Sequence, residues 1–495
     1  MGDIRLKTEL FFRYFLCYYL NIFMEKECKY KATIGLEIHA ELKTKSKMFC
    51  SCKNDPNEVK PNLNVCPVCM GHPGTLPVLN KEAIKQVLRV GLACESEIAN
   101  FTEWDRKNYF YPDIPKGYQI SQYKYPLVVG GYLHGVRLTR IHLEEDTASS
   151  THDGGDFSLV NFNRSGVPLM ELVTEPVIHS AKEASDFAKE LQLLLQYLGA
   201  GDANLEKGEM RIEANVSVSD CEDKLGTKAE VKNLNSFRSV ERAIAYEIER
   251  HIEVLESGGK IVQETRGWDE GKQKTYLQRI KEDSHDYRYF PEPDLPKLMV
   301  SEAFDLENLK SELPELPWQR RGRYSKVFGL KEQDAELFVN DIKLGDFFEK
   351  VITDIAHDKE LVKTASNYIG SDLLGILAKD SNLKYPDDKN FSKIIKMISD
   401  GKISSRTAKD LLQRIVTGGG DPEIIAEQEG LIQKNDEGEL KIILEKIVVE
   451  NQKIVADYKA GKETAIMSLV GQAMKITKGS ANPQTVKTIL LTLLK

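Results

Sequence analysis

A chain of 495 residues, 41% hydrophobic and 29% charged, is ordinary globular protein. It exceeds the roughly 250–300 residues at which a single core stops growing, so more than one domain is expected. A formal net charge of −8 excludes a molecule that is basic overall, and any nucleic-acid contact must come from local patches.

The first 23 residues carry an aromatic-rich run, Phe11, Phe12, Tyr14, Phe15, Leu16, Tyr18, Tyr19, Leu20, Ile22 and Phe23, interrupted by Arg13. It is shorter than the ~20 residues that span a bilayer, and no small-residue cleavage site follows. Met24, ahead of Glu25-Lys26-Glu27, serves as a natural start. Residues 1–23 are therefore read as a non-native extension from an upstream misassigned start, with an interfacial membrane anchor as the alternative.

From Tyr30 to about Pro296 the pattern is mainly short alternating strands with some helices. Ala32, Ile34, Leu36, Ile38, Ala40 and Leu42 alternate with Thr33, Gly35, Glu37, His39 and Glu41. That period of two gives one apolar face and one face bearing carboxylates and an imidazole. Residues 181–199 and 236–257 read as helices, so the class is α+β rather than a βαβ repeat. After the prolines at 291, 293 and 296, and again at 314 and 317, strand patterns give way to helical periodicity. Domain boundaries are expected near 296 and near 400, giving 24–296, an all-helical 297–400 and a helical tail 401–495. The tail carries 14 Lys/Arg against 12 Asp/Glu, leaving −10 on residues 1–400. Contact with phosphates and a plain solvated helical surface are equally compatible with that asymmetry.

Eight cysteines in so long a chain, four of them between Cys50 and Cys69, suggest a metal site in a reducing cytosol rather than a disulfide framework. Cys50-Ser-Cys52 and Cys66-Pro-Val-Cys69 can offer four thiolates to a structural Zn²⁺, with Pro67 and Gly71 suited to the turn. A group of buried or redox cysteines is the other reading. Cys94 and Cys221 stand alone and are expected to be buried structural thiols.

Carboxylates recur on alternating strands. Glu37 shares a face with His39; Arg211, Glu213, Asn215 and Ser217 share another; Lys228, Glu230 and Lys232 a third; and His142-Leu-Glu-Glu-Asp146 adds more acid. Such faces suit Mg²⁺, which takes oxygen ligands and keeps waters for substrate phosphates. By spacing alone the solvated side of an antiparallel sheet is the better reading. Residues Asp105 to Gln122 mix cations, aromatics and amides in what reads as a loop with two prolines, fit for a pocket or a nucleic-acid contact. No GxxxxGK[ST], GxGxxG or GxSxG is present, so a bound nucleotide requires a different cradle.

Together, Ile34-Gly-Leu-Glu-Ile-His-Ala-Glu-Leu42, the Asp105–Gln122 stretch, Leu143-Glu-Glu-Asp146, Lys228-Ala-Glu-Val-Lys-Asn-Leu-Asn-Ser-Phe237 and Asp286-Tyr-Arg-Tyr-Phe-Pro-Glu-Pro-Asp294 closely resemble the B subunits of the glutamyl/aspartyl-tRNA amidotransferase family. In the tail, Lys402-Ile-Ser-Ser-Arg-Thr-Ala-Lys409 and Gly471-Gln-Ala-Met-Lys-Ile-Thr-Lys-Gly-Ser-Ala-Asn-Pro483 extend the match, while residues 1–23 have no counterpart. The resemblance implies a mainly antiparallel cradle-shaped catalytic domain, a helical domain, and a tail that grips tRNA. It implies ATP-dependent activation of Glu-tRNA(Gln) or Asp-tRNA(Asn), followed by amidation with ammonia channelled from a glutamine-hydrolysing amidase partner, with a third, small partner joining the two. No DNA or membrane partner is expected, and the location implied is cytoplasmic, or organellar in a eukaryote. By the same resemblance Mg²⁺ falls to Glu37, His39, Glu145, Glu213 and Glu230, catalysis to Glu37, His39, Lys116 and Glu145, and zinc to Cys50, Cys52, Cys66 and Cys69. Lys116 is placed near the end of the ammonia path. Strict alternation pairs Glu144, not Glu145, with His142, so Glu145 rests on the resemblance alone. A zinc-containing tRNA-binding adaptor with purely surface carboxylates is the competing function.

Overall fold

The computed structural model describes residues 29–151, 156–221, 224–280, 286–433, 437–477, 481 and 483–494, so the apolar run in residues 1–23 lies outside the described residues, as does part of the 471–483 motif. The chain divides into two compact units, Met1–Leu316 and Pro317–Lys495.

The first unit is built on a ten-stranded sheet. Its long central strand β1 (Lys31–Glu41) owes its place to the alternation in its sequence: Ile34, Leu36, Ile38 and Ala40 are all but fully buried. The site's other elements, in chain order, are α1 (Lys81–Ala93), β2 (Asp105–Asn108), β3 (Tyr118–Ser121), β4 (Val136–Glu145), β5 (Pro168–Thr174), α2 (Ala181–Tyr197), β6 (Met210–Ser219), β7 (Ala229–Leu234), α3 (Phe237–Glu256), β8 (Glu264–Asp269), β9 (Lys274–Ile280) and β10 (Phe290–Pro291). The order across the sheet is β9-β8-β7-β6-β1-β5-β4, continued by Val128–Val129 and Glu97–Ile98, with Tyr132–Leu133 pairing β4 from outside that path. All its pairings are antiparallel except β7 with β8, which are joined by the crossover helix α3. The α+β expectation is met.

Helices cover the apolar face. α3 packs on β6, β7 and β9, and α2 packs on α3, burying Phe187, Leu191, Leu194, Val240, Ala243 and Ile244. Both helices begin at a serine: Ser180 accepts from the Glu183 N–H and Ser236 from the Ser239 N–H, filling donors that the first turn leaves open. With one face closed by helices, the polar face of β1, β4, β5 and β6 remains for chemistry.

The Asp105–Gln122 stretch is not the loop that its prolines suggest. It opens in β2 and closes in β3, which pair with one another, and β10 adds to β2 to complete a three-stranded sheet. Past Pro296 the chain stays with the first unit for twenty more residues. Leu298–Met299 pairs with Phe101–Thr102, and Val300, Phe304 and Leu309 are buried along the short helices that follow. The second unit is helical throughout its described residues. Phe338 stacks on Phe348 at 4.3 Å beside the buried Tyr324, and Leu444, Leu469, Val486 and Leu490 lie in a separate apolar cluster further along. Among the described residues no helix is long and apolar enough to cross a membrane.

Candidate active site and metal centres

Register assembles the site. Across four adjacent strands Arg211 of β6 stands opposite His39 of β1, His39 opposite Glu171 of β5, and Glu171 opposite His142 of β4. Residues directly opposite share a face, so all four side chains meet on the polar side. Alternation adds Glu37 from β1 and Glu144 from β4. His39 Nε2 lies 3.3 Å from Glu171 and 3.5 Å from Glu144, and His142 Nε2 lies 3.3 Å from Glu171. Glu171 also faces Arg140 at 3.3 Å, and Ser121 Oγ of β3 donates to Glu144 at 3.0 Å.

The electrostatics are those of crowded acids in a half-dry place. Burial works against charge on His39, but the Glu144 and Glu171 carboxylates outweigh it and raise its pKa to about 10. Burial opposes charge on Glu171 too, but His142 and then His39 hold it well below the usual carboxylate range, and against burial His39 and Lys107 lower Glu144. Burial and then the Glu171 charge push Glu37 upward. Nδ1 of the buried His142 has no hydrogen-bond partner among the described residues.

Two overlapping groups fit a hard cation. One ligand atom from each of Glu37, His39 and Glu171 lies within 4.8 Å of the others, and the same holds for His142, Glu144 and Glu171. Octahedral Mg²⁺ with bonds of about 2.1 Å separates its ligands by roughly 3–4.2 Å, so these carboxylates need to move little to share an ion.

The other acids named from the sequence lie at two distances from this centre. Glu213 stands opposite Glu37, close enough to raise its pKa, and Lys232 Nζ binds Glu213 at 2.6 Å and Glu230 at 3.6 Å. Glu230 further accepts from Thr265 Oγ1 at 2.7 Å, one strand outward. Glu145 is not brought to His39. It follows Glu144 on an alternating strand and therefore turns to the opposite face, where Lys116 Nζ donates to its carboxylate and the Ile120 N–H donates at 2.9 Å.

Glu145 and Lys116 line a small pocket with Cys50, Cys69, Gly71 and Tyr118. Gly71 allows the approach: it sits at φ +65°, and a Cβ there would collide with the Lys116 side chain. Nearby, ligand atoms of Cys50, Cys52, Cys66 and Cys69 lie within 4.8 Å of one another. Tetrahedral zinc with Zn–S bonds near 2.3 Å requires sulfurs about 3.8 Å apart, which this group can meet. The Cys50 thiol, hydrogen-bonded to Cys69, is pushed up, and that bond brings Cys69 down to about 5. Lys47, completely buried, places Nζ 3.1 Å from the Phe162 carbonyl and 4.0 Å from Cys69 Sγ. Among the lone cysteines, Cys94 is buried and its thiol rises to about 12, whereas Cys221, expected to be buried, is exposed beyond β6.

Sequence reasoning passed over Glu171, His142 as a site residue, and Lys107. For Glu171 a signal exists: it is the one charge in Pro168-Leu-Met-Glu-Leu-Val-Thr174, an apolar strand in which an acid without a function is costly. For Lys107 the signal is regional only: it lies in the Asp105–Gln122 stretch read as fit for a pocket, but its neighbours Tyr287 and Tyr289 come from far along the chain.

Residues 32–305 match the family model described as the GatB/GatE catalytic domain, and residues 346–494 match the GatB domain. The chain is 46% identical over 474 residues to the B subunit of the aspartyl/glutamyl-tRNA(Asn/Gln) amidotransferase of Thermoanaerobacter pseudethanolicus, covering 93% of this chain and 98% of that protein. Against the proteins of the same name from Carboxydothermus hydrogenoformans and Thermodesulfovibrio yellowstonii the identities are 42% over 478 residues and 44% over 479. These matches cover 93% and 94% of this chain, and 98% and 100% of the respective relatives. With both units matched, and with the register placing acids and imidazoles on one face of the catalytic unit, this chain belongs to the family of aspartyl/glutamyl-tRNA amidotransferase B subunits.

Proposed function

We propose that this chain is the ATP-using, tRNA-binding member of a heterotrimeric, glutamine-dependent amidotransferase that converts Glu-tRNA(Gln), Asp-tRNA(Asn) or both into the amidated forms. The observation that carries the reading is the row His39–Glu171–His142 with Glu37 and Glu144 beside it, a buried acidic cluster on the polar face of the catalytic unit. A solvated sheet face has no reason to gather acids out of water. That favours the enzyme over the adaptor.

The chemistry is a carbon–nitrogen ligation. A side-chain carboxylate would have to expel oxide to be amidated directly, so it first attacks the γ-phosphorus of ATP and displaces ADP. Ammonia then attacks the acyl carbon, and phosphate leaves. Catalysis of the first step is mainly positioning and charge stabilisation. Mg²⁺ held by Glu37, His39, Glu144 and Glu171 supplies neutralisation of phosphoryl charge, with Glu213 and Glu230 one step further out. Lys116 and Glu145 stand at the pocket through which ammonia from the amidase partner arrives, and a third, small partner joins the two. Zinc at Cys50, Cys52, Cys66 and Cys69 is structural, fixing the loop that brings Gly71 against Lys116. The helical tail grips the tRNA, and the complex works in the cytosol, or in an organelle of a eukaryote.

The test is to co-purify the full chain with its amidase and small partners and to follow [¹⁴C]Glu-tRNA and [¹⁴C]Asp-tRNA with ATP, Mg²⁺ and either glutamine or ammonium. Conversion with ammonium when the amidase partner is inactivated is the expected result. An intact complex that binds tRNA yet converts neither substrate refutes the enzyme reading and leaves the adaptor.

A further inference from the structure

Three cations project from the segment between Asp105 and Gln122, and two of them are engaged. The Arg106 guanidinium makes a two-point contact with Glu292, Nε at 2.6 Å and Nη2 at 2.7 Å, and Lys116 is bound to Glu145. Lys107, one residue after Arg106, projects from the opposite face of β2. Among the described residues its ammonium has neither a hydrogen bond nor an ion pair, and the contact it does make is with the Tyr287 ring, 5.2 Å from Nζ to the centroid. Tyr109 packs edge-on against Tyr287, and Tyr287 against Tyr289, so this cation sits among rings rather than in open water.

A half-buried ammonium with three unspent donors is costly unless something accepts from it. Lys107 faces the acidic cluster, with Glu144 foremost among the groups that raise its pKa and Glu171 contributing, yet it stops short of ion-pair distance from either. A plain counter-ion would close that gap, as His39 does to Glu171 at 3.3 Å and Lys232 to Glu213 at 2.6 Å. A polyanion bridging the lysine and the metal-binding carboxylates would supply the acceptors that Lys107 lacks.

We infer that Lys107 is a further catalytic residue, which grips the γ-phosphoryl oxygens of the nucleotide as the phosphoryl group passes to the substrate carboxylate. The inference rests on the ATP-dependent reading above. The carboxylate oxygen forms the new P–O bond, the bond between γ-phosphorus and the bridging oxygen breaks, and ADP departs with the electron pair. Lys107 keeps its proton throughout and acts by charge. Preorganised cations at such positions contribute on the order of 10²–10³ in kcat.

The experiment compares wild-type, Lys107→Met and Lys107→Arg chains in the purified three-subunit complex. It measures ADP release driven by aminoacyl-tRNA, and equilibrium binding of ADP and of a non-hydrolysable β,γ-imido ATP analogue in Mg²⁺. The methionine variant is expected to lose about 10²-fold or more in kcat. It should bind the analogue more weakly while keeping ADP affinity within about twofold, and arginine should restore part of both losses. ADP binding doubles as the check that the variant is folded. A methionine variant with kcat within about threefold of wild type overturns the inference, as does an equal loss of ADP and analogue affinity. A wild-type complex that cleaves no ATP instead refutes the functional reading on which the inference stands.

Discussion

Replacing Glu247 by glutamine removes the charge from a carboxylate buried where α3 packs on β8 and β9. Its oxygens accept from Thr275 Oγ1 at 2.5 Å and from Arg250 Nη2 at 2.7 Å, and they face Arg266 Nε at 3.2 Å and His251 Nε2 at 3.4 Å. Burial opposes this charge, but His251, Arg250 and Thr275 together bring its pKa from 4.5 down to about 2. At about 1.4 kcal/mol per tenfold, that lowering corresponds to roughly 3 kcal/mol of folding stability at neutral pH. A carboxyl whose folded pKa lies below its unfolded value contributes fully above the unfolded value, and the contribution disappears as pH falls toward the folded one. The gap between wild type and Glu247→Gln should therefore be constant from pH 8 to about 5.5 and close between about 4.5 and 2. Urea unfolding followed by tryptophan fluorescence reads it, since Trp268 lies on β8 with its ring against Tyr246 of α3. A gap under about 1 kcal/mol at pH 7, or one that does not narrow in acid, refutes the reasoning.

The two adjacent acids of β4 should separate cleanly by function. Glu144→Gln is expected to raise the Mg²⁺ concentration needed for ATP cleavage by about tenfold or more, while Glu145→Gln leaves it unchanged and impairs the use of ammonia. Mg²⁺ titrations of ADP release, and of amidation, decide this, and equal Mg²⁺ dependence in the two variants counts against the geometry. At the cysteine group, four thiolates around a divalent ion leave net negative charge, and the buried Lys47 ammonium offsets part of it. Lys47→Met should speed zinc loss to a colorimetric chelator by about 10-fold or more, and an unchanged release rate argues that the lysine serves only the Phe162 carbonyl.

Much was legible before any fold was known: the α+β class, the alternation that makes β1 a two-faced strand, the extents of the two helices behind it, and the pairing of two cysteine couples within one short stretch. Each is a local property, because periodicity and short spacing act over neighbouring residues. The same locality sufficed for the family, since the motifs that carry it are contiguous runs of residues. Which acids meet, by contrast, emerges only from the folded sheet. Glu171 belongs to an apolar strand and becomes part of the centre because antiparallel register sets it opposite both His39 and His142. Glu144 and Glu145 are neighbours in sequence, but the pleat sends one to the His39 cluster and the other to Lys116. Lys107 and Tyr287 are 180 positions apart, and nothing local to either announces the other. Strand register and side-chain direction are settled by burying the apolar face as a whole, a global choice that no short window of residues contains.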